Sequence, residues 1–237
     1  MLEVWKYHAP HIDVFCPDIY VRDFLGVCDE FCRIGNPLLI PETSAHSYAG
    51  PRLVYCVGHY HAWGFAPFGF EEIGEVFSSS LGALFGMDTS DPLLATPQDA
   101  GEYAWYNRTL NDCQELLCEA YGTKRLQAVI GERPETDTMC FGRFAVKAIM
   151  DSPHMSRKDS VCLALQTASD EFILIANACF VRVLSLDREC PNVDLLCLED
   201  GEFRGGKWEA FRRLNGDEAN IACWKPTLLK VKVFAYG

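Results

Sequence analysis

Nowhere in the 237 residues do about 18 apolar side chains run together, so no segment has the length of a membrane-crossing helix. A secretion signal is missing too: in the opening MLEVWKYHAPHIDVF, Lys6, His8 and Asp13 stand where such a signal needs an apolar centre. Both absences point to a soluble, cytoplasmic protein. Positive charge is scarce as well, with 21 Lys and Arg against 33 Asp and Glu and a formal net charge of -12. That deficit argues against nucleic acid or an anionic membrane as a partner, since both are bound through clustered cations. It favours a neutral ligand. Internal repeats and low-complexity tracts are also absent.

Metal and cofactor motifs are lacking. His46, His59, His61 and His154 have neither the spacing nor the carboxylate neighbours of a ligand set. Cys28 and Cys32 share a helical face at i, i+4, but no second Cys/His pair completes a tetrahedral site. The glycine-rich GEFRGGKW has no following helix and so resembles a hairpin turn, not a phosphate-binding loop. The pattern calls for no metal and no cofactor. Cysteine itself is plentiful, at twelve residues. Several (Cys16, Cys56, Cys162, Cys179) sit inside apolar runs of a chain large enough to have a core, which implies reduced, core-filling thiols and not a disulfide framework. No Cys/His pair stands out as a nucleophile and its base.

A hydrophobic content of 49% is ample for one large or two medium domains. The first half is organised around Asn36–Thr43, NPLLIPET, in which the apolar run Leu38 to Ile40 closes on Glu42. Such a run, bounded by turn formers, predicts a buried strand whose last carboxylate can face a cleft. His11–Tyr20 closes in the same way on Asp18 and Tyr20; Ala62–Glu71 starts with Trp63, contains Phe68 and Phe70, and ends in Glu71. Helical patterns fill the gaps. Val4–Pro10 is the tail of one helix, Asp23–Ile34 carries an apolar stripe through Phe24, Cys28 and Phe31 before Gly35 and Pro37 stop it, and Arg52–His61 follows. Strand, helix, strand, helix, strand is the pattern of βα units, and in a β/α barrel the C-terminal strand ends carry the chemistry.

Glu71–Thr96 is loop-rich, with Ser78–Ser80, Gly82, Gly86 and MDTSDP. Thr96–Tyr121 predicts a single helix with Thr96-Pro97 at its N-terminus and Gly122 at its end. From Lys124 the period changes to 2. Strands are expected at Leu126–Ile130, Arg143–Ile149, Val161–Thr167, Glu171–Asn177, Phe180–Leu186, Val193–Glu199, Lys207–Arg212 and Leu228–Ala235, with turns at Ser169-Asp170, Gly201 and Asn215-Gly216. Short antiparallel strands at this spacing indicate a β-sandwich or jelly-roll module. The expected domains are 1–122 and 123–237.

PHIDVFCPDIYVRDF, NPLLIPET and WGFAPFGFEEI together resemble the last strands of the barrel in family 35 glycoside hydrolases and their β-galactosidase-like relatives. GEFRGGKWEAFRRLNGDE resembles the β-rich domain of unknown function that follows that barrel. The resemblance covers most of the chain, and PET and RRLNGDE are its more specific strings. It implies an α/β plus all-β fold: the C-terminal portion of a (β/α)8 TIM barrel followed by an antiparallel β-sandwich-like domain. It also implies a retaining O-glycoside hydrolase with a β-galactoside-like carbohydrate as substrate. Retention needs two carboxylates about 5–5.5 Å apart, one attacking the anomeric carbon and one protonating the leaving oxygen.

By resemblance Glu42 is the nucleophile, with Thr43 beside it to hold the carboxylate; read alone, a Glu after an apolar strand is usually a helix-cap or surface residue. Asp18 and Tyr20 become a sugar-hydroxyl acceptor and a phenol that orients the nucleophile, or else Asp18 caps a turn after Pro17. Phe68 and Glu71 are the better-placed residues of their strand to line a substrate site, while Trp63 lies toward the opposite end; an aromatic-rich strand is also ordinary core. The family's acid/base residue follows an Asn in an Asn-Glu pair on an earlier strand, and this sequence contains no Asn-Glu dipeptide. Glu71, Glu72 and Glu75 are candidate substitutes. Three strands also cannot close a barrel of eight, which leaves a sheet edge open. The resulting expectation is a hydrolase fragment, inactive alone, whose edge is covered by self-association or by the missing N-terminal half. A non-catalytic carbohydrate-binding or scaffold module is the alternative.

Overall fold

The computed structural model describes residues 2–33, 35–46, 48–75, 84, 90 and 96–237. The chain divides into two units, Met1–Tyr103 and Ala104–Gly237. Apart from Ser90, the expected loop features from Ser78 to MDTSDP lie outside the described residues, as does Ile34.

In the first unit the order is α1 (Leu2–His8), β1 (Asp18–Ile19), α2 (Phe24–Cys32), β2 (Leu39–Thr43), α3 (Ala49–His59), β3 (Gly64–Pro67) and a 3-10 turn at Phe70–Glu72. The strands form a parallel sheet in the order β1-β2-β3, so the helices between them are the crossovers of two βα units. Among the described residues these three strands form an open sheet. Asp23 caps α2 by accepting from the Gly26 N–H. Tyr48 gives α3 no side-chain cap; instead Gln98 accepts from the Gly50 N–H at 2.9 Å, from 48 residues away. The helix begins three residues before the predicted Arg52. Nearly all of it is buried, where one apolar face was expected, and Arg52 lies inside with its guanidinium 4.5 Å from the Phe24 ring centre.

The first strand is far shorter than His11–Tyr20. What holds the preceding stretch is buried Asn36: its side chain accepts from the Phe15 N–H and donates to the carbonyls of Phe15 and Pro37, each at 2.9 Å. One amide thus stands in for the missing ladder. Asn36→Ala leaves the Phe15 N–H and carbonyl without these partners and should cost about 2–3 kcal/mol. Urea unfolding tests this, and a loss below about 0.5 kcal/mol, typical of surface changes, would contradict it. The third strand is short too. Phe68 and Phe70, expected within it, lie beyond Pro67, where Gly69 at φ 63° turns the chain into the 3-10 segment.

The helix expected from Thr96 to Tyr121 is two helices, α4 (Ala100–Asp112) and α5 (Gln114–Ala120), parted at Cys113. Thr96-Pro97 does not open it. Pro97 makes an isolated bridge to His46, and Asp99 accepts from the Glu102 N–H at 2.7 Å in the first turn of α4. The division between units falls inside α4, between Tyr103 and Ala104, whereas the sequence puts the boundary near Thr123.

Ten antiparallel strands follow: β4 (Leu126–Ile130), β5 (Thr138–Phe141), β6 (Phe144–Ile149), β7 (Val161–Ala168), β8 (Glu171–Asn177), β9 (Cys179–Ser185), β10 (Asn192–Arg204), β11 (Lys207–Arg213), β12 (Ala222–Cys223) and β13 (Thr227–Tyr236). They form a six-stranded sheet, β11-β10-β13-β8-β7-β4, and a four-stranded one, β12-β9-β6-β5. Both contribute to one apolar core. Val129, Leu174 and Val231 of the larger sheet join Val146, Val181 and Cys223 of the smaller, and Phe172 meets Phe141 edge-on across ring centres 5.4 Å apart. This is an arrangement compatible with a β-sandwich.

Gly201 is not a turn. It lies within β10 at a register shift after Asp200, and a Cβ there would strike the Glu209 carbonyl. The hairpin turns four residues later on Gly205 and Gly206, both at positive φ. All twelve cysteines are free thiols and six of them are buried, but Cys16 is exposed and not a core residue. Among the described residues no helix is long and apolar enough to cross a membrane.

Candidate functional site

The parallel pairing of β1 with β2 sets Asp18 opposite Glu42 and Ile19 opposite Thr43. Because successive residues alternate across a sheet, Ile19 and Thr43 go into the core while Asp18 and Glu42 share the other face. Tyr20, one residue past β1, donates its phenol to Glu42 Oε1 at 2.6 Å. Asp18 is exposed, and Tyr20 and Glu42 are half-buried. Glu42 is therefore inside its strand and not just past it, and Pro41 shapes its position. Without an N–H, Pro41 cannot join the ladder. Pairing with β3 accordingly jumps from Ile40–Phe65 to Thr43–Pro67, three steps along β2 against two along β3. The extra residue is a bulge, a device that re-aims a side chain.

Thr43 does not hold the Glu42 carboxylate. Its hydroxyl is buried and donates to the Ile19 carbonyl at 2.8 Å, tying β2 to β1 beneath the site. Its own carbonyl accepts from the Phe68 N–H at 2.8 Å, which fixes Phe68 at the same strand ends with its ring 42% exposed. Glu71 lies further on, exposed in the 3-10 turn. Trp63 precedes β3, where its N–H binds the Leu38 carbonyl at the opposite end of the strands. The fold thus gathers Asp18, Tyr20 and Glu42, sets Phe68 beside them and leaves Glu71 at the margin. Asn36 and Gln98, which hold the strands and helix underneath, went unnoticed because a side-chain amide bonding far along the chain leaves no periodic trace.

The Tyr20 phenol is driven well above its ordinary pKa by burial, then by its bond to Glu42 and the charges of Glu42 and Asp18. It stays protonated and keeps donating throughout the physiological range. The Glu42 carboxylate is held by one oxygen, while Oε2 has no hydrogen-bond partner among the described residues. Such an arrangement leaves one oriented carboxylate oxygen open to an electrophile. The thiols are poor rivals: desolvation lifts buried Cys113 to about 12 and half-buried Cys32 to about 11, which suppresses their thiolates at neutral pH.

The phenol also predicts an alkaline signature. Unfolded tyrosine loses its proton near pH 10, roughly, whereas folded Tyr20 retains it beyond that point. Above pH ~10 the unfolded state binds fewer protons, so stability falls as pH rises; below it the contribution is complete. Between pH ~9 and ~11.5 the melting temperature of the wild type should drop more steeply than that of Tyr20→Phe. Parallel curves would refute this.

Residues 104–223 match the family model described as Domain of unknown function (DUF5597), about half of the chain. The chain belongs to this family. No curated protein matches it. The DUF5597 domain is found in some glycoside hydrolase 35-like proteins. Here it starts where the structure divides, runs from α4 through β12, and leaves the Tyr20–Glu42 pair outside it.

Proposed function

We propose that the chain supplies the nucleophile half of a retaining, β-galactosidase-like active site. The observation that carries this reading is the 2.6 Å bond from the Tyr20 phenol to Glu42, beside Asp18, at the ends of parallel strands joined by βα crossovers. The occurrence of DUF5597 in some glycoside hydrolase 35-like proteins supports it. In the proposed step Glu42 Oε2 attacks the anomeric carbon of a β-galactoside. A C–O bond forms to the enzyme, and the bond to the leaving oxygen breaks with its electron pair going to the leaving group. Asp18 accepts from sugar hydroxyls, and Phe68 offers its ring to the C–H face of the sugar.

Ordinary glycosides also need a proton on the leaving oxygen. The resemblance assigns that proton to an Asn-Glu pair that the sequence does not contain, so the acid/base carboxylate comes from a different polypeptide or from a carboxylate outside such a pair. A substrate that departs without a proton isolates the part of the reaction this chain performs. Incubation with 2-deoxy-2-fluoro-β-galactosyl fluoride should release fluoride and leave the fluorosugar esterified to the peptide containing Glu42, as read by mass spectrometry. An unlabelled chain, or a label on another residue, would defeat the proposal.

A further inference from the structure

We infer that the β-rich unit carries a second carbohydrate site, a cleft that binds a neutral oligosaccharide without cleaving it. The cleft has a volume of about 740 Å³, within the range of small-molecule sites. One wall is α4, through half-buried Trp105; another is the hairpin β10–β11, through Asp200, Phe211 and Arg212; a third is the stretch from β12 into β13, through Trp224. Two of its aromatic rings face outward, Phe211 at 61% and Trp224 at 57% exposure. Trp224 is braced from below by the edge-on ring of Phe180, with centroids 5.5 Å apart. A large aromatic face held rigid yet open to water suits the apolar C–H face of a sugar ring and loses little entropy on binding.

The polar groups favour a hydroxylated, uncharged ligand. Arg212 donates through Nε to Asp200 at 3.1 Å and through an Nη to Glu218 at 3.2 Å. These charges neutralise one another in place. Two of the five guanidinium donors are used, and each carboxylate keeps further acceptor sites. Paired donors and acceptors of this kind match vicinal hydroxyls, which donate and accept at once. Three basic against four acidic side chains line the cleft, so it lacks the positive field that phosphate or nucleic acid needs. This site is separate from Glu42, lies wholly within Ala104–Gly237, and does not depend on the nucleophile reading.

The test is affinity electrophoresis of the full chain through gels containing soluble galactan, xyloglucan or mixed-linkage β-glucan, followed by tryptophan-fluorescence titration with oligosaccharides of the retarding polymer. At least one neutral polymer should retard the wild type. Trp224→Ala should weaken binding about tenfold or more, in line with the loss of one aromatic stacking partner, with Phe211→Ala weaker in effect and Trp224→Phe restoring most of the affinity, which separates stacking from misfolding. No retardation by any of the three polymers, or unchanged binding in Trp224→Ala, would overturn the inference. A failure of fluorosugar labelling at Glu42 would leave it standing.

Discussion

Gly131→Ala should prevent the β-rich unit from folding cooperatively at ordinary temperature. Gly131 follows β4 immediately, and its N–H binds the Ser160 carbonyl at 2.8 Å while its own carbonyl accepts from Arg157 Nε at 3.2 Å. An added methyl would run into the Arg157 carbonyl and also lie 3.1 Å from Ser160 Cβ. The obstacle is backbone, so no rotamer change relieves it. The 3-10 turn Arg157–Asp159 would have to move away, and Ser160 would move with it. Buried Ser160 donates its hydroxyl to the Ala178 carbonyl at 2.6 Å, on the link between β8 and β9. That link joins the two sheets, because β8 belongs to one and β9 to the other. The clash therefore reaches the place where the layers are connected.

A forced backbone shift combined with lost buried hydrogen bonds belongs among the largest single-residue effects, at least about 4 kcal/mol. Gly142→Ala is the matched control. Gly142 sits at φ 62° in the β5–β6 turn with nothing within 4 Å of an added Cβ, so it should cost only the left-handed penalty of about 1–2 kcal/mol. Circular dichroism melts of both variants decide the matter. If Gly131→Ala melted as close to the wild type as Gly142→Ala, the crowding at Arg157 would not govern folding.

The strands that the sequence predicts best are those whose signal is local. Leu126–Ile130 and Glu171–Asn177 coincide with β4 and β8 because each is an apolar run with a turn at its margin. Thr138–Phe141 was missed as a strand: only four residues long, it is recognisable through its pairing with β6 across the Gly142 turn. The continuation of β10 past Glu199 was hidden by Asp200-Gly201, a dipeptide that usually marks a hairpin. Tolerance of glycine in mid-strand comes from the bulge and from the close approach of Glu209 on β11, and neither is local. The break at Cys113 is similar, since the apolar spacing continues across it.

The candidate site was legible in kind but not in geometry. Three strand-like runs ending on polar or aromatic residues, taken together with the family resemblance, single out Asp18, Tyr20, Glu42, Phe68 and Glu71. That Asp18 and Glu42 share a face depends on a parallel register, and that Thr43 serves the sheet and not the carboxylate depends on the position of the Ile19 carbonyl. Pro41 held a clue. A proline inside an apolar strand signals an edge or a bulge, and here the bulge beside Glu42 is the result.

Glu42→Gln should abolish reaction with an activated aryl galactoside. With 2,4-dinitrophenyl β-galactoside the leaving phenolate is stable without a proton, so the step asks nothing of an acid/base partner. The wild-type chain should release close to one equivalent of dinitrophenolate per chain and then stall, because hydrolysis of the glycosyl ester needs a general base. An amide in place of the carboxylate is a far weaker nucleophile. The first-turnover rate should fall by at least about 1000-fold, or about 4 kcal/mol of barrier. Tyr20→Phe keeps the carboxylate but frees it from its 2.6 Å bond to the phenol; misorientation of that order should cost about 10- to 100-fold. Glu42→Ala with added azide supplies a stereochemical check. Attack by azide from the emptied side inverts the anomeric carbon and yields the α-galactosyl azide. Burst amplitudes equal in wild type and Glu42→Gln would mean that another group attacks, whereas β-configured azide from Glu42→Ala would place the vacancy on the wrong face of the sugar.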